Sequence, residues 1–377
     1  MTTMSDPIPP VESPAASPAS DHRGSPIPTA AMIVTRFMEL RRRRGLMITL
    51  ILITVGLPTV YLAIRLLLHA ISPHTYGVAG GYDTYTGLSA GVLYTFGFIA
   101  AATLGCTAGS IDLSEGMFRH LVITGRSRLA LYLARIPAGL SIIVSLVALG
   151  FAIVCTVCVL AAPAKLTFNG MTVPAGLSRS GFENWAVEHP TDALCDLPYD
   201  GGVGCDNRPG QPARIMAATG PGEIGPATDA QIKQAAIAVA DQNYHDYQGQ
   251  FRYPSAGLMI KTLLWLELEV TIGFLVGLGL GSLLGQRTVA VTLMIVLEII
   301  LTPIAIRAQI PHFINVQRGI VGVATARLEP GQLPLLFGGG GMDFRVTEST
   351  LTAVLVILGW ITVWSVLGAW RMMTRDA

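Results

Sequence analysis

The stretch EGMFRHLVITGRSRLALYLAR, residues 115–135, carries four arginines and one glutamate and lies between two long apolar runs. A helix that crosses a bilayer needs about 20 predominantly apolar residues. Six segments of the chain satisfy this requirement, so the sequence predicts an all-α integral membrane protein with six transmembrane helices. The predicted spans are Leu46–Leu68, Leu88–Ile111, Ile136–Leu160, Leu263–Leu284, Val289–Ile306 and Leu351–Trp370.

Composition favours a membrane protein and argues against a nucleic-acid partner. Of the 377 residues, 51% are hydrophobic and 13% are charged, whereas a soluble domain carries about 25% charged residues. The formal net charge is +1, so no excess of basic residues suggests binding to nucleic acid. Residues 1–30 are rich in Pro, Ser and Ala and are predicted to be a disordered tail.

Arginines in the short connections predict the orientation of the spans. Arg41 to Arg44 precede the first span, the arginines of residues 115–135 follow the second, and Arg371 and Arg375 follow the last. Short loops rich in Lys and Arg stay on the cytoplasmic side. We therefore expect a multi-pass protein of the plasma membrane with both termini and residues 112–135 in the cytoplasm. The long connections 163–255 and 307–349 are expected outside.

The connection 163–255 is predicted to be an extracytoplasmic domain. Its cysteines, Cys195 and Cys205, are predicted to form a disulfide, because such bonds persist outside the cytoplasm; two unrelated thiols are the alternative. Thr228 and Gln231 form a capping-box pattern that predicts a helix from Thr228 to about Tyr247. No residues at metal-ligand spacing stand out, and the C-x-x-C at 155–158 is predicted to pack within a span.

The residues after Ser114 have the pattern of a short amphipathic helix on the cytoplasmic side. At 100° per residue, Met117, Phe118, Leu121 and Val122 fall on one stripe, and Glu115 can pair with Arg119 four residues later. An apolar stripe edged by arginines suits docking to the membrane interface or to a protein. A plain turn with cytoplasmic arginines is the third interpretation, and the pattern alone leaves all three open.

The order of elements, together with this loop, resembles an ABC-2-type permease, the membrane subunit of an ABC exporter. The loop begins with Asp112 and continues as E-G-x-x-R and T-G-x-S-R. The resemblance covers about residues 31–160 and 256–377, and the insert 163–255 departs from the compact members. It implies a coupling helix that presses into an ATPase. The coupling residues it implies are Glu115, Gly116, Met117, Phe118, Arg119, Leu121, Val122 and Arg128.

The same resemblance implies further elements and partners. Residues 31–45 match an amphipathic helix on the inner surface, and PGQLPLLFGGGGM at 330–342 fits a re-entrant loop within 307–349; a flexible surface loop is its alternative. The chain has no G-x-x-x-x-G-K-[ST] loop. We therefore expect a non-enzymatic permease that forms the substrate pathway as a homo- or heterodimer, with ATP and Mg on a separate ATPase subunit and no cofactor on this chain.

Two other classes of function remain open at this point. One is a proton-coupled secondary transporter, and the other is a membrane-anchored sensor or enzyme built around the outer domain. Glu267, Glu269 and Glu298 lie within predicted spans, where a charge is costly unless it faces the bundle interior or water. They are candidates for a substrate path or a proton site, and structural polar contacts, for example with Lys261, are the alternative.

Small residues recur in the fourth predicted span, GFLVGLGLGSLLG. Gly273, Gly277, Gly281 and Gly285 are spaced four residues apart and share one helix face. In membranes such a ladder allows another helix to approach closely. We expect tight helix packing there, against a partner helix either within the subunit or across a dimer.

Overall fold

The computed structural model describes residues 26–76, 79–114, 127–162, 165–168, 171–174, 176–197, 203–206, 214–220, 223–251, 254–307, 313–330 and 348–374. The predicted disordered tail therefore lies almost entirely outside the described residues. So do most of the predicted coupling helix and of the glycine-rich outer loop.

Within the described residues, five helices are long and apolar enough to cross a membrane. We name them by their place among the six predicted spans. They are span 1 (Arg44–Ile71), span 2 (Thr84–Ile111), span 3 (Arg128–Leu160), span 4 (Ala256–Leu284) and span 6 (Thr350–Thr374). Span 5 was predicted at Val289–Ile306, inside a helical segment that is not among the five, so a sixth crossing stays a prediction. This segment runs as Arg287–Ile295, Val296–Leu301 and Thr302–Arg307.

Three helical segments contain a stretch of π-helix. These stretches are Leu52–Gly56, Gly87–Leu93 and Val296–Leu301. Two of them precede the prolines Pro58 and Pro303, which lack an N–H and clash with the preceding turn of an α-helix. The wider turn accommodates each ring, and the Thr302 hydroxyl donates to the Leu297 carbonyl oxygen at 3.1 Å. Around these stretches the regular helices are Arg44–Ile51, Leu57–Ile71, Pro73–Tyr76, Tyr82–Thr86 and Tyr94–Ser114.

Spans 2 and 4 pack together along the glycine ladder at the centre of the bundle. A Cβ atom on Gly277 would lie 2.7 Å from the carbonyl oxygen of Ala102, and one on Gly281 would lie 2.5 Å from that of Cys106. The approach is mutual, because a Cβ on Gly109 would lie 2.5 Å from the Leu278 carbonyl oxygen. The partner helix that the sequence left open is therefore span 2 of the same chain.

Gly285 departs from its prediction as a packing residue. It is the C-cap of span 4 and has φ 69°, a left-handed conformation that glycine adopts without steric cost. Its N–H bonds to the carbonyl oxygen of Gly281 at 2.9 Å. Gly285 ends the helix, and the packing ladder consists of Gly273, Gly277 and Gly281.

The insert domain, residues 165–251, contains five short strands that the all-α prediction did not include. Strands β1 (Lys165–Phe168) and β2 (Met171–Pro174) form an antiparallel hairpin. Strands β3 (Val203–Asp206), β4 (Arg214–Gly220) and β5 (Glu223–Pro226) form an antiparallel sheet in that order. The domain's helices are Arg179–Glu188, Pro190–Asp196 and Asp229–Phe251.

The core of the insert domain is aromatic. The predicted capping box and the predicted disulfide are both present in this domain. Phe182 and Tyr247 are buried and stack with ring centroids 4.2 Å apart. The Thr228 N–H donates to the Gln231 side-chain oxygen at 2.9 Å, so the capping box is present at the start of the last helix. The structure joins Cys195 to Cys205 by a disulfide, with their Cα atoms 5.0 Å apart. This bond ties the helix Pro190–Asp196 to β3.

Two ends of the bundle can now be distinguished. We call the end that carries the insert domain the insert end, and the end that carries residues 115–126 the arginine end. At the arginine end, the N-terminal helix Ala30–Arg42 stops at Arg43, and span 1 begins at the next residue. This helix occupies the position of the predicted amphipathic segment 31–45 and buries Met32, Arg36 and Leu40.

Candidate functional site

Most of the predicted coupling residues lie in the segment 115–126, outside the described residues. They are Glu115, Gly116, Met117, Phe118, Arg119, Leu121 and Val122. Arg128 is described, and its guanidinium donates a hydrogen bond to the carbonyl oxygen of Met373 at 3.0 Å. Met373 belongs to the last turn of span 6, where backbone carbonyls lack helix partners. Arg128, which follows the loop, is therefore bonded to the last turn of span 6.

The start of span 3 consists of the helix Arg128–Leu133 and the residues up to Arg135, where the next helix begins; we call this stretch the entry helix. It is packed into the bundle by two large side chains. Tyr132 and Arg135 are among the largest fully buried side chains of the protein. Arg135 donates to the carbonyl oxygen of Gly109 in span 2 at 3.2 Å. A Cβ on Gly368 of span 6 would lie 2.8 Å from the Tyr132 hydroxyl oxygen and 2.8 Å from Cα of Gly279 in span 4. The entry helix thus touches spans 2 and 6, beside the place where span 6 meets span 4.

The N-terminal helix covers the entry helix from the other side. Met32 packs in a cluster with Ala130, Leu131 and Ala134. One turn further, Arg36 forms an ion pair with Glu39 at 2.7 Å, and both residues face a small cavity that Arg135 also lines. Arg36 is buried despite its charge. Buried arginines in a membrane protein are costly unless paired, so this cluster fixes the N-terminal helix against span 3.

Sequence reasoning missed Arg36, Glu39, Tyr132 and Arg135. A signal was available for Arg135, because a charge at the start of the most apolar predicted span needs a partner. The ion pair between Arg36 and Glu39 was readable from their spacing of three residues in a helix. That these groups meet in one cavity depends on how the N-terminal helix folds back, which the sequence does not specify.

Glu267 and Glu269 lie on different faces of span 4. Glu269 is 1% exposed and faces the interior of the bundle. Glu267 is half-buried on another face of span 4, since two residues in a helix differ in direction by about 200°. Neither oxygen of Glu267 has a hydrogen-bond partner among the described residues. Lys261, the suggested partner, is exposed and lies about 9 Å away along the axis. The side chain of Glu298 lies outside what the structure describes.

A pair of short helices penetrates the bundle from the insert end. These helices, Ile314–Arg318 and Val321–Arg327, precede the glycine-rich stretch 331–347, which itself lies outside the described residues. All residues from Val321 to Ala326 are buried. Three hydrogen bonds attach this re-entrant segment to its neighbours. They are Trp265 Nε1 to Thr325 O at 3.1 Å, Gln317 Nε2 to Ala305 O at 3.1 Å and Trp360 Nε1 to Gly319 O at 2.8 Å.

Two carboxyl groups border the re-entrant segment. Burial raises the pKa of Glu329 to about 8. Burial also raises the pKa of Glu348, against the opposing effect of Arg318 and Arg327. Glu329 is therefore largely protonated at neutral pH, and its neutral form is the one that the fold accommodates.

No protein-family model, no curated protein and no solved structure matches this chain. Among the residues that the structure describes, no three His, Cys, Asp or Glu side chains lie close enough together to hold a metal ion. Inference about function therefore rests on the sequence patterns and on the contacts at the two ends of the bundle.

Proposed function

We propose that the chain is the permease subunit of an ATP-driven ABC exporter of the ABC-2 type. In this proposal it lies in the plasma membrane with both termini in the cytoplasm, and the arginine end is the cytoplasmic end. It pairs with a second permease subunit, identical or related, to form the substrate pathway. ATP and Mg bind to a separate ATPase subunit, since this chain lacks the phosphate-binding loop.

The observation that carries the proposal is the anchoring of the loop 115–126 at both of its ends. The loop leaves the helix Tyr94–Ser114 of span 2 and enters the entry helix, which is bonded to Gly109 and to Met373. A force on the loop therefore acts on spans 2, 3 and 6 together. This is the mechanical requirement for a coupling element: movement of an ATPase has to be transmitted to the spans as a unit.

The work of the cycle is mechanical in this proposal. ATP-driven closure of the ATPase subunits presses on the apolar stripe of Met117, Phe118, Leu121 and Val122. The entry helix passes the displacement to the spans, and the N-terminal helix moves with it because Met32 packs against Ala130 and Leu131. In this scheme the permease only changes its conformation, and ATP is hydrolysed on the partner ATPase subunit.

Glu267 suits a place beside a substrate pathway. A carboxylate about 18 Å along the helix from Ser255 is near mid-membrane, and exposure to lipid there is unfavourable. The oxygens of Glu267 are buried within this chain and have no hydrogen-bond partner among the described residues, so a water-filled pathway that reaches them is the environment that suits the carboxylate. We assign Glu267 to the pathway side and Glu269 to the bundle interior.

Copurification with an ABC ATPase tests the proposal. The chain and the ATPase encoded beside its gene are co-expressed, and the complex is isolated through a tag on the permease. Leu121→Asp places an unpaired charge on the apolar stripe and is expected to abolish copurification. Phe118→Ala removes an aromatic anchor and is expected to weaken the complex about 30-fold.

Ile123→Asp is the matched control. It adds the same charge to the same loop, but on the opposite face of the predicted helix, and should leave the complex intact. If the unmodified chain fails to bind the ATPase, or if Leu121→Asp binds as well as Ile123→Asp, the proposed coupling function is wrong.

A proton-coupled secondary transporter is the second candidate, and the burial of Glu269 favours it. The two candidates differ in energy source. Transport that stops on depletion of ATP and persists with a protonophore supports the exporter; the reverse pattern supports proton coupling.

A further inference from the structure

Three hydroxyl groups are completely buried where the contact between spans 2 and 4 begins at the insert end. They belong to Tyr85, Ser89 and Thr262, each 0% exposed. The side chains of Ser89 and Thr262 lie beside the Tyr85 hydroxyl. Ser89 and Thr262 are the hydrogen-bond partners that the Tyr85 hydroxyl has within reach, and among the residues that the structure describes none of the three hydroxyls has a partner of regular hydrogen-bond geometry.

Buried hydroxyls need hydrogen-bond partners, most of all inside a membrane. Water molecules held by two to four polar groups commonly supply those partners within proteins. Three converging hydroxyls provide that number of donors and acceptors. The cluster therefore offers the polar partners that a water molecule between the helices would need.

The register of the glycine ladder extends this polar region towards Glu269. Gly273, Gly277 and Gly281 face Phe98, Ala102 and Cys106 in turn. Continued one turn towards the insert end, the same spacing predicts that Glu269 lies near Tyr94 and Thr95; Tyr94 itself stacks on Trp265, one turn before Glu269. The Thr95 hydroxyl is buried and has no hydrogen-bond partner among the described residues.

The backbone of span 2 is irregular in the same place. Residues Gly87–Leu93 form a π-helix, and the N–H of Tyr94 bonds to the carbonyl oxygen of Ser89 five residues earlier. A π-turn widens the helix and is frequent at functional sites. It contains Ser89 of the hydroxyl cluster and ends two residues before Thr95, so the helix is widened along the line that joins the hydroxyls to Thr95.

On the side of Glu269 that faces the arginine end, spans 2 and 4 leave no gap between them. From Gly273 to Gly281 the two helices approach so closely that a single Cβ atom would meet backbone, at 2.7 Å from Ala102 and 2.5 Å from Cys106. Such a contact leaves no space for water. We call it the glycine seal.

We propose that Tyr85, Ser89, Thr262 and Thr95 line a water-bearing path along which protons from the outer solution reach the carboxylate of Glu269, with the glycine seal as its closed inner end. Glu269 then exchanges protons with the outer side alone. The inference rests on the proposed orientation of the chain and is independent of any ATPase partner.

The spans that pack against span 4 carry few charged residues in their apolar parts. The apolar parts of spans 2, 3 and 6 contribute no Asp, Glu, Lys, Arg or His within 84–111, 139–160 and 351–370. Tyr85, Tyr94 and Cys155 are the titratable side chains that these spans place near the path. Span 4 itself adds Glu267 on another face and Lys261 nearer its start, and the re-entrant segment adds Arg327 and Glu329 beyond its contact at Thr325.

Cysteine accessibility tests the path. Ser89→Cys is introduced into a chain in which Cys106, Cys155 and Cys158 are alanine, and intact cells are treated with a small, charged, membrane-impermeant thiol reagent. A thiol reacts as the thiolate, which forms in contact with water, so Ser89→Cys is expected to react at least about tenfold faster than a thiol at the seal. Native Cys106, retained alone, is the matched control because it lies in the same helix contact at the seal.

The exposed position Ser180→Cys reports the orientation. Equal, negligible rates at Ser89→Cys and Cys106 in cells where Ser180→Cys reacts fully would overturn the path. If Ser180→Cys and Ser89→Cys both react only in inside-out vesicles, the path stands and the proposed orientation is wrong.

Infrared spectroscopy tests the proton transfer. The carboxyl band of Glu269 is isolated as the difference between the unmodified protein and Glu269→Gln in proteoliposomes. It is expected to follow the pH on the insert side and to ignore the pH on the other side. The double variant Tyr85→Phe, Thr262→Val should slow this response, whereas Thr107→Val, on the same helix beyond the seal, should not. A band that follows the opposite side would refute the inference.

Discussion

The indole N–H of Trp265 in span 4 donates a hydrogen bond to the carbonyl oxygen of Thr325, 3.1 Å away in the re-entrant segment. Both residues are buried, so water has no access to replace the bond. Trp265→Phe keeps an aromatic ring against Tyr94 and removes only the donor. We expect a loss of about 1–3 kcal/mol, because the Thr325 carbonyl stays buried without its partner.

Thermal unfolding in detergent measures this loss. Trp360→Phe is the matched control: it removes a similar bond, to Gly319 at 2.8 Å, at a position with access to the surroundings. A larger effect at Trp360 than at Trp265 would contradict the buried role of the re-entrant segment.

Adding one methyl group at the glycine seal should separate spans 2 and 4. In Gly277→Ala the new Cβ atom would lie 2.7 Å from the Ala102 carbonyl oxygen, so backbone has to move. We expect a loss of about 1–3 kcal/mol from such overpacking. Gly359→Ala, in span 6, meets nothing within 4 Å and should be neutral or slightly stabilising. The melting temperatures of the two variants test this prediction, which is wrong if Gly277→Ala melts no lower than Gly359→Ala.

Removing the disulfide should loosen the insert domain without affecting the spans. The bond between Cys195 and Cys205 closes a loop with a sequence separation of 10, and closure of so short a loop is worth about 2–3 kcal/mol. The double variant Cys195→Ser, Cys205→Ser should therefore be cut faster by protease within residues 165–251. Mass spectrometry of unreduced digests of the unmodified protein should recover the two cysteines in one linked peptide, and recovery as free thiols would contradict the structure.

Stability should fall between about pH 5 and pH 8 because of Glu329. Its pKa in the folded protein is about 8 and in the unfolded chain about 4.3. Since the folded state holds the proton more strongly, the stabilisation is complete below the unfolded value and is lost as the pH rises through the folded one. Glu329→Gln should flatten this part of the profile, whereas Glu188→Gln, at an exposed position, should not. An unchanged slope in Glu329→Gln would argue against burial as the cause.

The spans could be predicted because their signal is local. A run of about 20 apolar residues leaves few alternatives to a membrane helix, and spans 1 and 2 begin and end within four residues of the predicted bounds. Spans 3 and 4 end at the predicted residues but begin eight and seven residues earlier than predicted. The capping box at Thr228 and the spacing of Gly277 and Gly281 are local patterns too. Each concerns residues within one or two turns of the same helix.

The features that were missed depend on how distant segments meet. Gly285 was predicted to be a fourth packing glycine because the spacing of residues carries no information on the backbone angle φ. Tyr85, Ser89 and Thr262 come together only through the register between two spans, which the glycines set. Arg36 and Arg135 share a cavity only because the N-terminal helix folds back on span 3. The insert's strands were missed because they are short and follow no clear alternation.

The contact between spans 2 and 4 has a thermodynamic consequence. Glycine and alanine have no side-chain rotamers to lose on packing, and Gly105, Gly109, Gly277, Gly281 and Ala102 supply much of this contact. At these positions the two helices come together without immobilising side-chain torsions, whereas the stacked rings of Tyr94 and Trp265 nearer the insert end are restricted. Warming penalises contacts that restrict many torsions more than contacts that restrict few. Spans 2 and 4 should accordingly be the last pair of helices to part when the protein is heated.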